Sequence, residues 1–146
     1  MTGIEGRLVR YADLRACTNA FVDTRTPGSD RKENFTIVGP GVSENPNQHV
    51  HIPEPHGFKL RALKMASGAA VPAHGRHEEE VIFVLKGTLE ITAPDSSIVM
   101  GAGDTFTTPK ELEQPFRATS SDGCIADIVC RGNAAGAVHF VNAKAA

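Results

Sequence analysis

Residues 74–80 of this 146-residue chain read His74-Gly75-Arg76-His77-Glu78-Glu79-Glu80, and they concentrate side chains that could do chemistry. Imidazole and carboxylate are common ligands of divalent transition metals, and either can also carry a proton. Arg76 differs in kind. A guanidinium stays protonated and has no lone pair for a metal, but its planar fork suits an anion. Further along, the amide of Gln114 could hydrogen-bond a ligand or ligate weakly through its carbonyl oxygen. Phe116 shares the face of Gln114 on a strand, which makes it a candidate pocket wall as well as core filler. His49, His51 and His56 form a second histidine cluster. The first two, at strand spacing, would share a face as a metal pair requires, although solvent-facing imidazoles on an outer strand or subunit contact are the plainer expectation.

The elements that must position these groups read as strands. Before about residue 56 the pattern is irregular. Tyr11 to Phe21 could form a short helix, and Phe35–Val38 and His49–Ile52 read as short strands between Gly- and Pro-rich turns. From Gly57 onward short strands recur: 58–65, 70–74, 80–86, 88–92, 97–100, 105–108, 114–118, 124–130 and 138–141. Gly, Pro, Asp and Ser turns separate them, as in a sandwich or barrel. Phe58, Leu60, Ile82, Val84 and Phe106 are expected to fill the core. The reading is one domain, with residues 1–56 as an N-terminal extension and 57–146 as the barrel.

Composition bounds the function. The net charge of −2, with no dense Lys/Arg stripe, argues against nucleic acid and membrane surfaces as partners. No apolar run approaches the length of a membrane span, and no signal-peptide core leads the chain. Three cysteines, Cys17, Cys124 and Cys130, with no pairing pattern read as reduced thiols of a cytoplasmic protein. Cys124 and Cys130 share strand parity and are expected to be buried together on one face. A Gly-rich phosphate loop, a Gly-x-Ser-x-Gly elbow and a Cys-x-x-Cys pair are all missing, which disfavours a nucleotide enzyme, a serine hydrolase and a zinc module.

The segment from Gly68 to Ala118 resembles the cupin family. Gly68, His74, Glu80 and Gly87 fall at the spacing of the first cupin motif, and Glu79-Glu80-Val81-Ile82-Phe83-Val84-Leu85-Lys86-Gly87 is close to its usual wording. Gly103, Asp104 and Pro109 match the second motif, and fifteen residues separate the two. The resemblance implies an all-β, jelly-roll-type single cupin barrel. It further implies three imidazoles and one carboxylate around an open site for Fe, Mn, Ni, Zn or Cu.

Two of those four ligand slots hold other residues. Arg76 stands at the second histidine of the first motif, and Gln114 at the histidine of the second. Three arrangements follow. A local bulge brings His77 inward, so that His74, His77 and Glu80 hold the metal with Gln114 as a weak partner. Alternatively the metal is lost, and Arg76 either pairs with Glu80 or receives an anionic ligand. In the third, the interior is simply filled core.

The functional expectation is a small-molecule enzyme resembling cupin dioxygenases, isomerases or decarboxylases, acting on a small polar or aromatic acid. His74 and Glu80 would be catalytic, and Arg76, Gln114 and Phe116 would bind substrate. The alternatives are a metal-free ligand-binding or sensor barrel that holds an anion through Arg76 and Gln114, and a metal-free, epimerase-like enzyme with His74 as base. A homodimer is expected, because a sheet edge and the N-terminal strands invite exchange with a partner barrel.

Overall fold

The computed structural model describes residues 4–17, 26–39, 49–53, 57–75, 79–109, 114–132 and 139–140. Among them only the 3-10 turns Glu5–Arg7 and Tyr11–Asp13 are helical. The helix expected over Tyr11 to Phe21 is thus a single turn as far as Cys17, and residues 18–21 lie outside the described residues. His49–Ile52 is likewise no strand, since Ile52 makes only an isolated parallel bridge to Val38.

The strands are β1 Lys32–Val38, β2 Phe58–Met65, β3 Ala70–Gly75, β4 Glu80–Gly87, β5 Leu89–Ala93, β6 Ser96–Met100, β7 Thr105–Thr108, β8 Gln114–Ala118, β9 Cys124–Arg131 and β10 His139–Phe140. They form two five-stranded sheets, ordered β1-β2-β9-β4-β7 and β10-β3-β8-β5-β6, with every pairing antiparallel. The chain crosses repeatedly between them, the jelly-roll solution to burying one face of each sheet. The core is their shared interior. Leu63, Ile82, Ala126 and Ile128 of the first sheet meet Val71, Leu89, Ile91 and Phe116 of the second.

The two ends of the barrel differ. At one end β2 leads to β3, β4 to β5 and β8 to β9 through short turns. Gly87 and Gly123 adopt φ near +81° there, and a Cβ on Gly87 would collide with the carbonyl oxygen of Gly123. Only glycine fits such a contact. At the other end, the mouth, lie the connections β1–β2, β3–β4, β5–β6, β7–β8 and β9–β10. β3 and β4 run in opposite directions, so the end of β3 at His74 and the start of β4 at Glu80 come to the mouth together.

Two core expectations need correction. Phe58 is 43% exposed and Leu60 is only partly buried, because β2 turns its odd-numbered residues inward. Register explains the choice. Leu63 and Met65 lie opposite Ala126 and Cys124, whose alternation with partly exposed Ile125 and Asp127 marks them as the interior face of β9. The same parity carries Lys59 and Arg61 inside. Ile82 and Val84 are fully buried and Phe106 packs against the core, as expected. Cys124 and Cys130 do share the interior face, and burial pushes the Cys124 thiol up to about 11.

Among the described residues, the Asn34 amide is buried with neither of its polar atoms satisfied. Asn34 lies opposite Leu63 and is 2% exposed, yet its side-chain nitrogen and oxygen make no hydrogen bond. Burying an amide without partners costs about 1–3 kcal/mol. Asn34→Leu, similar in shape, is therefore expected to leave the protein as stable or to stabilise it by about 1–2 kcal/mol in urea unfolding. A loss above about 1 kcal/mol would show that the amide is satisfied in solution.

Candidate functional site

Alternation on four neighbouring strands builds a polar row across the mouth of the first sheet. Lys59 on β2 lies opposite Cys130 on β9, Cys130 opposite Glu80 on β4, and Glu80 opposite Thr108 on β7. All four are buried. One row deeper Thr36 faces Arg61, and the remainder of that row is apolar Ile128, Ile82 and Phe106. Polar side chains thus collect at the mouth, and hydrocarbon closes the barrel beneath them.

Glu80 is the centre of this row. Its side chain is fully buried, and one carboxylate oxygen, Oε2, receives two donors. The guanidinium of Arg61 lies 3.1 Å away and the Cys130 thiol 2.9 Å away. A buried carboxylate is tolerable only when paired and hydrogen-bonded, and Arg61, itself 12% exposed, supplies the pairing. Because the thiol donates, Cys130 acts here as a neutral S–H.

His74 and Gln114 lie opposite one another on β3 and β8, and Phe140 of β10 lies opposite His74. The structure describes the backbone at these positions, and a register irregularity falls between Val71 and His74. The facing pair sits on the second sheet at the mouth, across the barrel from Glu80. Arg76 and His77 lie outside the described residues, as does His56. Phe116 is buried in the core beside Leu63, Ile82 and Ile91, and Arg117 points out to donate to the Gly68 carbonyl at 3.1 Å.

The sequence-level expectations missed Arg61, Lys59, Cys130 and Thr108 as members of the site. The available signal was Lys59-x-Arg61 at strand spacing ahead of Leu63-x-Met65. It competed with Phe58-x-Leu60-x-Ala62 on the opposite parity, and only long-range register decides between them. Glu80 is paired with an arginine, Arg61 of β2, while Arg76, the arginine expected there, lies outside the described residues.

His49 and His51 do come together, with ring centroids 4.4 Å apart, edge to face. His51 Nε2 accepts the Arg15 backbone N–H at 3.2 Å. Burial, the neighbouring His49 and then Arg15 lower the pKa of His51. Among the described residues no group of three or more His, Cys, Asp or Glu is placed to hold a metal ion.

A cupin-domain family model matches residues 62–129, the stretch that carries β3 through β8 with the ends of its neighbours. The matched stretch is a cupin domain. This cupin is similar in fold to the polyketide cyclase RemF from Streptomyces resistomycificus, with a TM-score of 0.64 at 18% identity over 92% of this chain and 84% of the cyclase. It is similar to the DMSP lyase DddQ from Ruegeria pomeroyi DSS-3, with a TM-score of 0.60 at 18% identity over 92% of this chain and 59% of the lyase. A recombinant oxalate oxidase in complex with glycolate gives a TM-score of 0.57 at 19% identity, covering 84% of this chain and 62% of the oxidase. The chain thus spans less than two thirds of the lyase and the oxidase. No curated protein matches it.

The transition metal implied by the cupin resemblance can be tested against the donor set. Of its expected ligands, Glu80 is the one whose side chain the structure describes, and its Oε2 is already taken by a guanidinium and a thiol. A divalent ion on that oxygen would have to displace both donors and sit beside Arg61. Oε2 is thus closed to a metal by Arg61 and Cys130, while Oε1 of the same carboxylate has no hydrogen-bond partner. Breaking one partner of a buried ion pair usually costs about 3–5 kcal/mol, whereas replacing both by apolar groups costs far less. Arg61→Met and Glu80→Leu are each expected to destabilise by about 3–5 kcal/mol, and the double variant by well under their sum. Additive losses in urea unfolding would show the pair to be uncoupled.

Proposed function

We infer that this cupin binds a small organic acid at the mouth of its barrel and acts on it as an enzyme. The observation that carries the reading is the interior parity of β2, which sends two cations, Lys59 and Arg61, into the mouth where Glu80 supplies one carboxylate. Two cationic side chains gathered inside the mouth of a barrel favour an anionic ligand. The likeness to proteins named as a cyclase, a lyase and an oxidase of small molecules supports an enzyme.

In this reading Lys59 and Arg61 attract and orient the carboxylate. Thr108 offers a hydroxyl beside Glu80 on the same row. Apolar Ile82, Ile128 and Phe116 beneath the row keep water from the bound acid. His74 and Gln114, opposite one another on the facing sheet, would flank the acid from the other side, with His74 as the proton carrier. Arg76, beyond the end of β3, would add a further anion contact, and His77 would come inward only if the metal-bound form of the family applies. The metal-dependent dioxygenase, isomerase and decarboxylase chemistries of the wider family remain candidates to be assayed beside metal-free proton transfer.

The test is binding of glycolate, oxalate and a neutral analogue, glycolamide, by isothermal titration. The acids are expected to bind and the amide not. Lys59→Met and Arg76→Met should each weaken glycolate by about tenfold, the value of one lost charge-assisted contact of about 1.4 kcal/mol. Equal affinity for glycolate and glycolamide would sink the reading.

The chain is further proposed to be a homodimer in the cytoplasm. The surface for it is the outer face of the first sheet, where Phe58, Phe83 and Val129 are exposed and Val81 is partly buried. Asp127 sits between Ala62 and Phe83 on that face, its carboxyl raised by burial. Here β1 pairs with β2 of its own chain, so the contact would be face to face, not an exchanged strand. Light scattering at micromolar concentration should give twice the chain mass, and Phe83→Asp should halve it.

A further inference from the structure

We propose that Arg61 is the resident cation of this barrel: its guanidinium holds Glu80, a metal ligand in the expected cupin pattern, and keeps divalent metal from that carboxylate. Three observations on separate elements support it. The first is the arginine itself, brought inward on β2 by the register with β9 and bound at 3.1 Å to a fully buried carboxylate. The second is Cys130 on β9, whose S–H occupies the same oxygen at 2.9 Å. A metal in that position would draw the sulfur as thiolate, whereas here the geometry uses it as a neutral donor. The third is Lys59, buried on the same row as Cys130 and Glu80. A divalent ion entering beside Glu80 would meet the positive charge of Arg61 and, on the same row as Glu80, that of Lys59.

The sequence carries the same change at two further positions. Arg76 and Gln114 stand in slots where the family pattern has imidazoles. A barrel with an internal guanidinium has no use for a full set of neutral nitrogen ligands, so the three departures become one. The consequence for function is concrete. A guanidinium can orient a carboxylate and neutralise charge that develops on it, but it brings no exchangeable coordination position and no redox change. The chemistry left to this site is proton transfer and charge stabilisation on an organic acid. That last step rests on the organic-acid reading above; the exclusion of metal does not.

The experiment measures metal on the full-length chain, purified without an immobilised-metal step. Elemental analysis should find less than a tenth of an equivalent of Mn, Fe, Co, Ni, Cu or Zn. A Co²⁺ titration followed by visible absorbance should show no stoichiometric binding. Arg61→Gln, which keeps a hydrogen-bond donor but removes the charge, should tighten Co²⁺ binding at least tenfold, and Arg61→Gln with Arg76→His further still. Arg61→Lys retains the charge, so it should stay metal-free and guards against a glutamine variant that fails to fold. One equivalent of metal in the wild-type chain, lost in Glu80→Gln, would overturn the proposal. So would an Arg61→Gln protein that folds and binds Co²⁺ no better than wild type. If metal is excluded as expected but glycolate does not bind, the organic-acid reading fails while this proposal stands.

Discussion

The ion pair between Arg61 and Glu80 is the constraint around which the mouth of this barrel is organised. A carboxylate with no exposure has to be matched by a cation and by hydrogen bonds, or its desolvation outweighs what its neighbours gain from burial. Satisfying it fixes the inward parity of β2, because only odd-numbered residues bring a guanidinium to that oxygen. It also fixes Cys130 as a donor on the strand between them. Three non-sequential positions, on β2, β4 and β9, are thereby tied to one register. A slip of one residue in either pairing would turn Arg61 or Glu80 to the outer face.

Most of the fold was legible in the sequence. Strands from Phe58 to Cys130 follow the alternation of apolar residues and the spacing of turn glycines, both local properties. Gly68 and Gly87 of the family spacing have a local reason, since both adopt positive φ in the turns before β3 and after β4. What local pattern could not supply was the choice between two faces of β2. Phe58 and Leu60 on one parity balance Leu63 and Met65 on the other. The deciding contacts, Met65 with Cys124 and Lys59 with Cys130, join segments some sixty to seventy residues apart.

The same limit explains the site. Glu80 could be singled out from its motif, and an arginine partner could be expected from Arg76 as the nearest one in sequence. The structure supplies Arg61, nineteen residues before Glu80, because β2 and β4 both flank β9. Lys32–Val38, ahead of the motif region, pairs along β2, with Asn34 and Thr36 opposite Leu63 and Arg61 on its interior face. Where the sequence departs from the family pattern, the physical reason is visible only when distant strands are side by side.

The long sequence separation of the strands that pair at the centre of the first sheet has a kinetic meaning. The central pairings, β2 with β9 and β4 with β9, close chain loops of several tens of residues before any hydrophobic contact compensates the lost entropy. All-β topologies of this kind fold on the scale of milliseconds to seconds, far slower than helical bundles. The charged interior adds to the delay. Arg61 and Glu80 can leave water only when β9 has docked between their strands, so the site forms at the end of folding. Until then β2 and β4 stand with unpaired edges beside exposed Phe83 and Leu85, and a nascent chain at that stage is the form most open to capture by a second copy.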